Sequence, residues 1–346
     1  MKLTNQMKSF DRRIGPLRRK SSLLNCLYNH IADINVEHSF HSKKRKEQVK
    51  SQSTLAIKKL LEPTSLVCDS TELPKIIWMY WHSGFDTAPE VVHLAVRSWQ
   101  EMNPGYEVRL LTDKNLKDYL DFDFNMVFKT ASIRCLMPTK ADILRFYLLS
   151  RYGGVWVDAT TFCMVPLDKW IHEAMAPCSL FNFVQKNNLT RPVEAWFIAS
   201  PKASPIIQSV LKQYVDLVFK PRSYSLFVMG KQAHFERLLS KEEREKPLDP
   251  SIIQRAEQHG FMPYFSVAYF FYKALKDNLT PEQVNIYLRQ DEQQLMTNKL
   301  AKTKDTEENF MNSCVSKQTY LSSYAKSELF AMRKHELLAR IEQQTA

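Results

Sequence analysis

TKADILRFYLLSRYGGVWVDAT, residues 139–160, reads as a helix, a turn and a strand in immediate succession. Ile143, Leu144, Phe146, Tyr147, Leu148 and Leu149 give a helix over Thr139–Arg151, and Gly153 suits the left-handed residue that closes it. Val155-Trp156-Val157 is short and apolar throughout, the pattern of a strand covered on both faces. Asp158 then falls at the carboxyl end of a buried strand, the edge where open α/β sheets hold their ligands. Asp142 and Arg145 stand three apart on the preceding helix, so they share a face and reach the same cleft.

Upstream, β-branched and aromatic residues predict a strand at Lys75–Trp81, a helix from Pro89 to Met102 stopped by Asn103-Pro104-Gly105, and a strand at Tyr106–Leu111. A short helix over Asp113–Leu120, capped by Thr112, should follow. Downstream, Leu180–Val184 and Ala195–Ala199 read as strands and Ser204–Phe219 as an amphipathic helix. From about residue 230 the pattern is mostly helical, ending in a helix over Tyr324–Gln343. Strands alternating with helices predict an α/β sheet flanked by helices. The expected organisation is a basic appendage at 1–72, a main domain at 73–320 with halves 73–200 and 201–320, and a C-terminal helix at 321–346.

Seven glycines in the whole chain exclude a Walker loop and a dinucleotide fingerprint, which need several for close backbone approach to phosphate. Six scattered cysteines without close pairs argue against a zinc site or a disulfide framework. The net charge of +11 is concentrated: residues 1–60 hold fourteen Lys or Arg against four Asp or Glu, leaving +1 for the remainder. Within this tail, Leu23, Leu24, Leu27, Tyr28, Ile31 and Ile34 recur at helical spacing over 22–35. Beside the clusters Arg18-Arg19-Lys20 and Lys43-Lys44-Arg45-Lys46, such a helix suits an anionic membrane surface, each nearby cation contributing about 1 kcal/mol. A solvated tail whose helix docks on the body fits the sequence equally. Nucleic acid is not an expected partner, because the tail lacks interleaved aromatics and the body lacks a basic stripe. No apolar run reaches membrane-spanning length and the first residues lack a secretory pattern, so the expected location is cytoplasmic, peripheral at the inner face of the membrane if the tail binds there.

The run from Thr139 to Thr160 resembles the donor site of the DXD-type sugar transferases, specifically their capsular polysaccharide synthesis branch. Trp78, Tyr80 and Trp81 in the first strand, and Trp196-Phe197-Ile198-Ala199 before Pro201, resemble that family in order and spacing. The resemblance covers roughly 73–320, is strong over 139–160 and fades after 220. It implies a GT-A-like, Rossmann-type mixed sheet, a nucleotide-sugar donor, a glycan or lipid-linked acceptor in surface-polysaccharide assembly, and a Mn or Mg ion. It also implies catalytic roles for Asp158, Asp142 and Arg145, with Asp142 and Arg145 on donor hydroxyls and Asp158 at the metal. Trp78, Tyr80 and Trp81 would lie near the base, with Gly153 and Gly154 beside the donor, and Trp196 would line the acceptor groove.

Many relatives carry a second acid two positions after the first, where this chain has Thr160. One full charge at about 4 Å is worth roughly 4 kcal/mol at an effective dielectric near 20. Asp158 and Thr160 are therefore expected to hold the ion only together with the diphosphate, which Lys317 would help to neutralise. Blander readings stand beside these. Asp142 and Arg145 suit a surface ion pair, the tryptophans suit a core, and Lys317 with Asn312 and Ser313 suits a solvated loop. A catalytically silent adaptor of the same fold, binding a glycan or a partner, is the competing function.

Overall fold

The structure, a computed structural model, describes residues 15, 17–18, 20–32, 35–63, 72–135, 137–185, 188–229, 235–289, 296–297 and 304–345. The α/β class expected from the sequence is the one observed. Among the described residues the strands are β1 (Ile76–Tyr80), β2 (Glu107–Leu111), β3 (Ile133–Arg134), β4 (Gly154–Val157), β5 (Thr161–Cys163), β6 (Phe181–Val184), β7 (Val193–Ser200), β8 (Leu226–Met229), β9 (Phe261–Pro263), β10 (Met296–Thr297) and β11 (Val315–Lys317). The central sheet runs β2–β1–β4–β7–β6, and two smaller sheets run β10–β11–β5 and β3–β8–β9. β1 is parallel to both β2 and β4, whereas β7 is antiparallel to β4 and β6, so the sheet is mixed.

Both faces of this sheet are covered, which explains why its middle strands are apolar without alternation. On one face Trp78, Trp156 and Ile198 meet the helices Met137–Tyr152, Pro205–Val218 and Ser266–Asn278. On the other, Ile77, Met79, Val155, Val157 and Phe197 meet the helices Glu90–Met102 and Glu328–Thr345. The chain leaves β1 toward β2 and returns on the opposite side of β1 as β4. Asp158 and the end of β1 thus flank the crevice where strand order reverses.

Local chemistry accounts for the departures from expectation. The segment after β2 is a short 3-10 turn, Leu116–Asp118, because Asn115 accepts from Thr112 N (2.7 Å) and donates to Leu110 O (2.9 Å), bonds that compete with a helix start. The final helix divides into Ser322–Ala325 and Glu328–Thr345, with Ser327 Oγ accepting from Phe330 N at 3.2 Å between them. An unexpected helix spans Lys43–Leu60 and buries Val49, Ser53, Ala56 and Leu60. Ser53 in that stripe hides the helical period, yet its hydroxyl is satisfied at Val127 O (3.3 Å) and Thr130 Oγ1 (2.8 Å). The tail's helix is Ser22–Ile31, and Ile34 lies outside the described residues.

The turn between the helix Met137–Tyr152 and β4 requires its glycines. Gly153 has φ +69° and Gly154 φ +94°, and a Cβ on Gly154 would stand 2.5 Å from Ile76 O, in the backbone of the neighbouring strand. Gly154→Ala therefore combines left-handed strain with a collision that no side-chain motion relieves. It is expected to destabilise the fold by about 2 to 4 kcal/mol in denaturant unfolding, and an unchanged midpoint would refute this account of the turn.

Candidate active site

Asp158 is delivered by β4 and held at its own backbone, where its N–H donates to Trp196 O at 2.8 Å and its carbonyl accepts from Thr161 N at 2.9 Å. The register of β1 against β4, Trp78 with Trp156, sets Tyr80 level with Asp158. Three side chains then converge on the carboxylate. Arg145 Nη2 donates to Oδ1 at 2.8 Å, Trp156 Nε1 donates to the same oxygen at 3.1 Å, and Lys317 Nζ donates to Oδ2. Arg145 also donates through Nη1 to Asp142 Oδ1. The result is an Asp142–Arg145–Asp158–Lys317 chain of alternating charge. Arg145 is 5% exposed at its side chain and Asp158 31%, so the inner cation is sealed while the carboxylate faces outward.

Neighbouring cations set the two acids apart. Desolvation pushes the Asp142 carboxyl up to about 6, only partly offset by the Arg145 charge and reinforced by the negative charge of Asp158. For Asp158 burial also acts upward, but Lys317 and Arg145 together outweigh it and hold the carboxyl at about 2. Two aromatic rings frame the cations. The Arg145 guanidinium lies 5.0 Å from the centroid of the Trp156 ring and Lys317 Nζ lies 5.7 Å from that of Trp196.

Lys317 belongs to a strand, not to the loop that its surroundings suggest. β11 runs antiparallel to β5 with Lys317 opposite Thr161, and Gln318 N donates to Thr160 O at 2.8 Å. Thr160 is buried and its hydroxyl donates to Gln318 O at 3.2 Å, so it fastens this junction. Ser313 is buried with its hydroxyl on Phe310 O, and Asn312 ends the helix Lys304–Asn312.

The aromatic residues of β1 divide. Trp78 is fully buried, donates from Nε1 to Gly153 O at 2.9 Å and packs against Tyr119 and Tyr152, so it is core and offers no surface to a base. Tyr80 is buried with its hydroxyl donating to Asp113 Oδ1. Trp81 is partly exposed and meets Tyr320 edge-on, ring centroids 5.5 Å apart. Gly153 and Gly154 stand at the opposite end of the four-residue β4 from Asp158, hemmed in by backbone. They shape the turn and lie roughly 13 to 16 Å along the strand from Asp158. Trp196 is buried and stacked on Phe183, centroids 5.2 Å apart and planes 10° apart, with Lys317 above it.

Two residues of this neighbourhood carry no readable signal in the sequence. Tyr264, just after β9, has its phenol pushed up by burial and then by the negative charges of Asp142 and Asp158. Tyr320 is exposed against Trp81 and within electrostatic reach of Tyr264. Neither sits in a motif; only the fold brings them together. Among the described residues no three His, Cys, Asp or Glu side chains cluster closely enough to hold a metal ion. Asp158 presents a carboxylate, 31% exposed at its side chain, at this edge.

Comparison with known proteins gives one family and several relatives. The family described as capsular polysaccharide synthesis protein matches residues 29–245. An initiation-specific alpha-1,6-mannosyltransferase of Candida albicans is 24% identical over 173 residues, 43% of this chain and 44% of that one. Inositol phosphoceramide mannosyltransferase 3 of Schizosaccharomyces pombe is 28% identical over 103 residues, 30% of this chain and 28% of that one. The chain thus matches less than half the length of these relatives. Among solved structures, PaToxG Glycosyltransferase is 14% identical with a TM-score of 0.29, covering 72% of this chain and 95% of that one, a likeness too distant to bear on function.

The depressed Asp158 carboxyl makes a stability statement. A group held below its unfolded value contributes stability that is present above that value and lost as pH falls through the folded one. In metal-free buffer, Lys317→Gln should cost about 1 to 2 kcal/mol at neutral pH, and the gap from wild type should narrow as pH falls from about 4 toward 2. A gap independent of pH in urea titrations would mean that the Lys317–Asp158 pair contributes no net stability.

Proposed function

The chain belongs to the capsular polysaccharide synthesis protein family, and on that premise we propose that it is a glycosyltransferase moving a sugar from a nucleotide-sugar donor to a glycan or lipid-linked acceptor. The observation that carries the reading is the alternating Asp142–Arg145–Asp158–Lys317 array at the strand-order reversal of the sheet. Names of the relatives support it: both are mannosyltransferases, one of them named for a phosphoceramide acceptor, which favours mannose as the sugar and a lipid-linked acceptor.

Each group in the array has a task in such a transfer. Negative charge builds on the departing diphosphate as the glycosidic bond to it breaks, and a cation placed in advance stabilises that charge without reorganising at the moment of reaction. The ammonium of Lys317, exposed at 14% of its side chain and carried on a long stem, would pass from Asp158 to a phosphate oxygen. Arg145 is sealed and paired on both sides, so its part is to orient Asp142 and Asp158. Asp142, with an ionisation near 6, accepts a hydrogen bond from a sugar hydroxyl when charged. Trp81 and Tyr320 present the exposed aromatic edge suited to a nucleotide base.

We propose further that a divalent cation is held jointly, by the outward-facing Asp158 carboxylate and the diphosphate oxygens. One carboxylate already shared by two cations is a poor site for Mn or Mg alone, whereas the diphosphate adds anionic oxygens and draws Lys317 away. Such an ion would supply Lewis-acid stabilisation of the leaving diphosphate. Thr160 contributes no charge to it, and its hydroxyl is engaged at Gln318. The proposed place of action is the cytoplasmic face of a membrane.

Turnover of GDP- and UDP-sugars with Mn, with and without glycan and lipid-linked acceptors, tests the transfer. Asp158→Ala should lower it by at least about 100-fold, and chelation should do the same. Tight glycan binding by wild type with no turnover of any donor would favour the silent adaptor instead. Isothermal titration separates the metal proposal: saturable Mn binding is expected in the presence of UDP or GDP and not in their absence. Equal Mn binding in both conditions would overturn joint coordination.

A further inference from the structure

The helix Ser22–Ile31 is seated inside out. Its polar residues Asn25 and Asn29, together with Tyr28, are the buried ones. Asn25 Oδ1 accepts from Arg18 Nη1 (3.2 Å) and from Ser225 N (3.4 Å), Ser225 Oγ donates to Asn29 Oδ1, and the Tyr28 hydroxyl accepts from Arg134 Nη1 at 3.3 Å. The Arg18 guanidinium covers the Tyr28 ring at 4.0 Å. The apolar residues of the same helix face away from the body: Leu23 is 67% exposed, Leu24 and Leu27 45% each, and Ile31 62%, with Leu17 before the helix at 60% and Phe40 beyond it at 52%. An amphipathic helix that folded only to complete a core would be turned the other way.

Charge identifies what covers this face. The helix carries no acid, and among the described residues of 15–46 the one carboxylate, Glu37, is paired with Lys50 at 2.5 Å. Lys20 is exposed before the helix. At its other end His30 meets the rings of Phe40 and His41, ring centroids 5.8 and 5.2 Å away, and the exposed Lys43, Lys44 and Arg45 follow His41 in the chain. His41, Arg45 and Lys129 line a small cavity together with Asn29 of the helix itself. Exposed aliphatic side chains bordered by cations suit an interface that is hydrocarbon within and anionic at its rim.

We propose that the outward face of Ser22–Ile31, rimmed by Lys20 and Lys43–Arg45, docks the protein onto a bilayer surface bearing anionic phospholipid headgroups. The helix lies flat on that surface; among the described residues no helix is long and apolar enough to cross it. Its seat is part of the catalytic body. Ser225 leads into β8, Arg134 ends β3 just before the helix that carries Asp142 and Arg145, and the third strand of that sheet, β9, ends beside Tyr264. The proposal goes beyond the transfer reading and does not rest on it.

Co-sedimentation with phosphatidylcholine vesicles, and with phosphatidylcholine mixed with phosphatidylglycerol, tests it using the full chain. Wild type should pellet with the mixed vesicles, and added salt should weaken binding. L23S/L27S/I31S alters only exposed positions, so its circular dichroism and melting should match wild type while partitioning falls by roughly tenfold or more. K43Q/K44Q/R45Q should lose the preference for anionic over neutral vesicles. The proposal is overturned if wild type stays in the supernatant with both vesicle types, or if the triple serine variant pellets like wild type. It is equally overturned if wild type forms a concentration-dependent dimer that the serine variant abolishes while neither protein binds vesicles.

Discussion

A single carboxylate clasped by two cations ties a helix, the strand after it and a distant third segment of this chain to one point. Asp158 comes from the end of β4, Arg145 from the helix before it, and Lys317 from β11, 159 residues further along. Arg145 is nearly sealed from solvent, and an isolated buried guanidinium would be costly, so the helix Met137–Tyr152 can pack as it does only with Asp142 and Asp158 on either side. Lys317 then draws in β11, whose pairing with β5 encloses Thr160 and Gln318. Geometry, charge and chain connectivity are set by the same contact.

Much of this was readable from the residues. The dense apolar run Ile143–Leu149 predicts a helix over Thr139–Arg151, observed as Met137–Tyr152, while the apolar triplet marks β4 and the two glycines the turn between them, so Asp158 falls at a strand end on sequence grounds alone. Strands of two or three residues were not legible. β11 is too short to display a period, and its pairing with β5 is a tertiary event, which is why the sequence around Lys317 suits a solvated loop as well as a role on the diphosphate. Tyr264 is hidden for the same reason. Trp78 illustrates the reverse: it lies within β1, covered on both faces and bonded to Gly153 O, while Trp81 lies past the strand's last residue and is partly exposed.

The N-terminal part teaches a different lesson about hydrophobic pattern. Helical spacing of apolar residues predicts that a face is used, not what it is used against. In Ser22–Ile31 the hydrogen-bonding residues hold the helix to the body, each amide engaging a defined partner at Ser225, so the greasy face is left for another phase. In Lys43–Leu60 the order is the ordinary one, with Val49, Ala56 and Leu60 inward and the lysines outward. The two helices are neighbours in sequence and opposite in logic.

Because Lys317 enters so late in the chain, the site is assembled out of step with synthesis. A ribosome producing this protein releases β4 and the helix before it long before β11 exists, and domains tend to fold as they emerge. For that interval Arg145 alone neutralises Asp158, and Thr161–Cys163 has an edge without its partner β11. The nascent molecule therefore carries an acidic cleft that becomes electrically balanced only when β11 threads back onto β5 and brings Lys317 to Asp158.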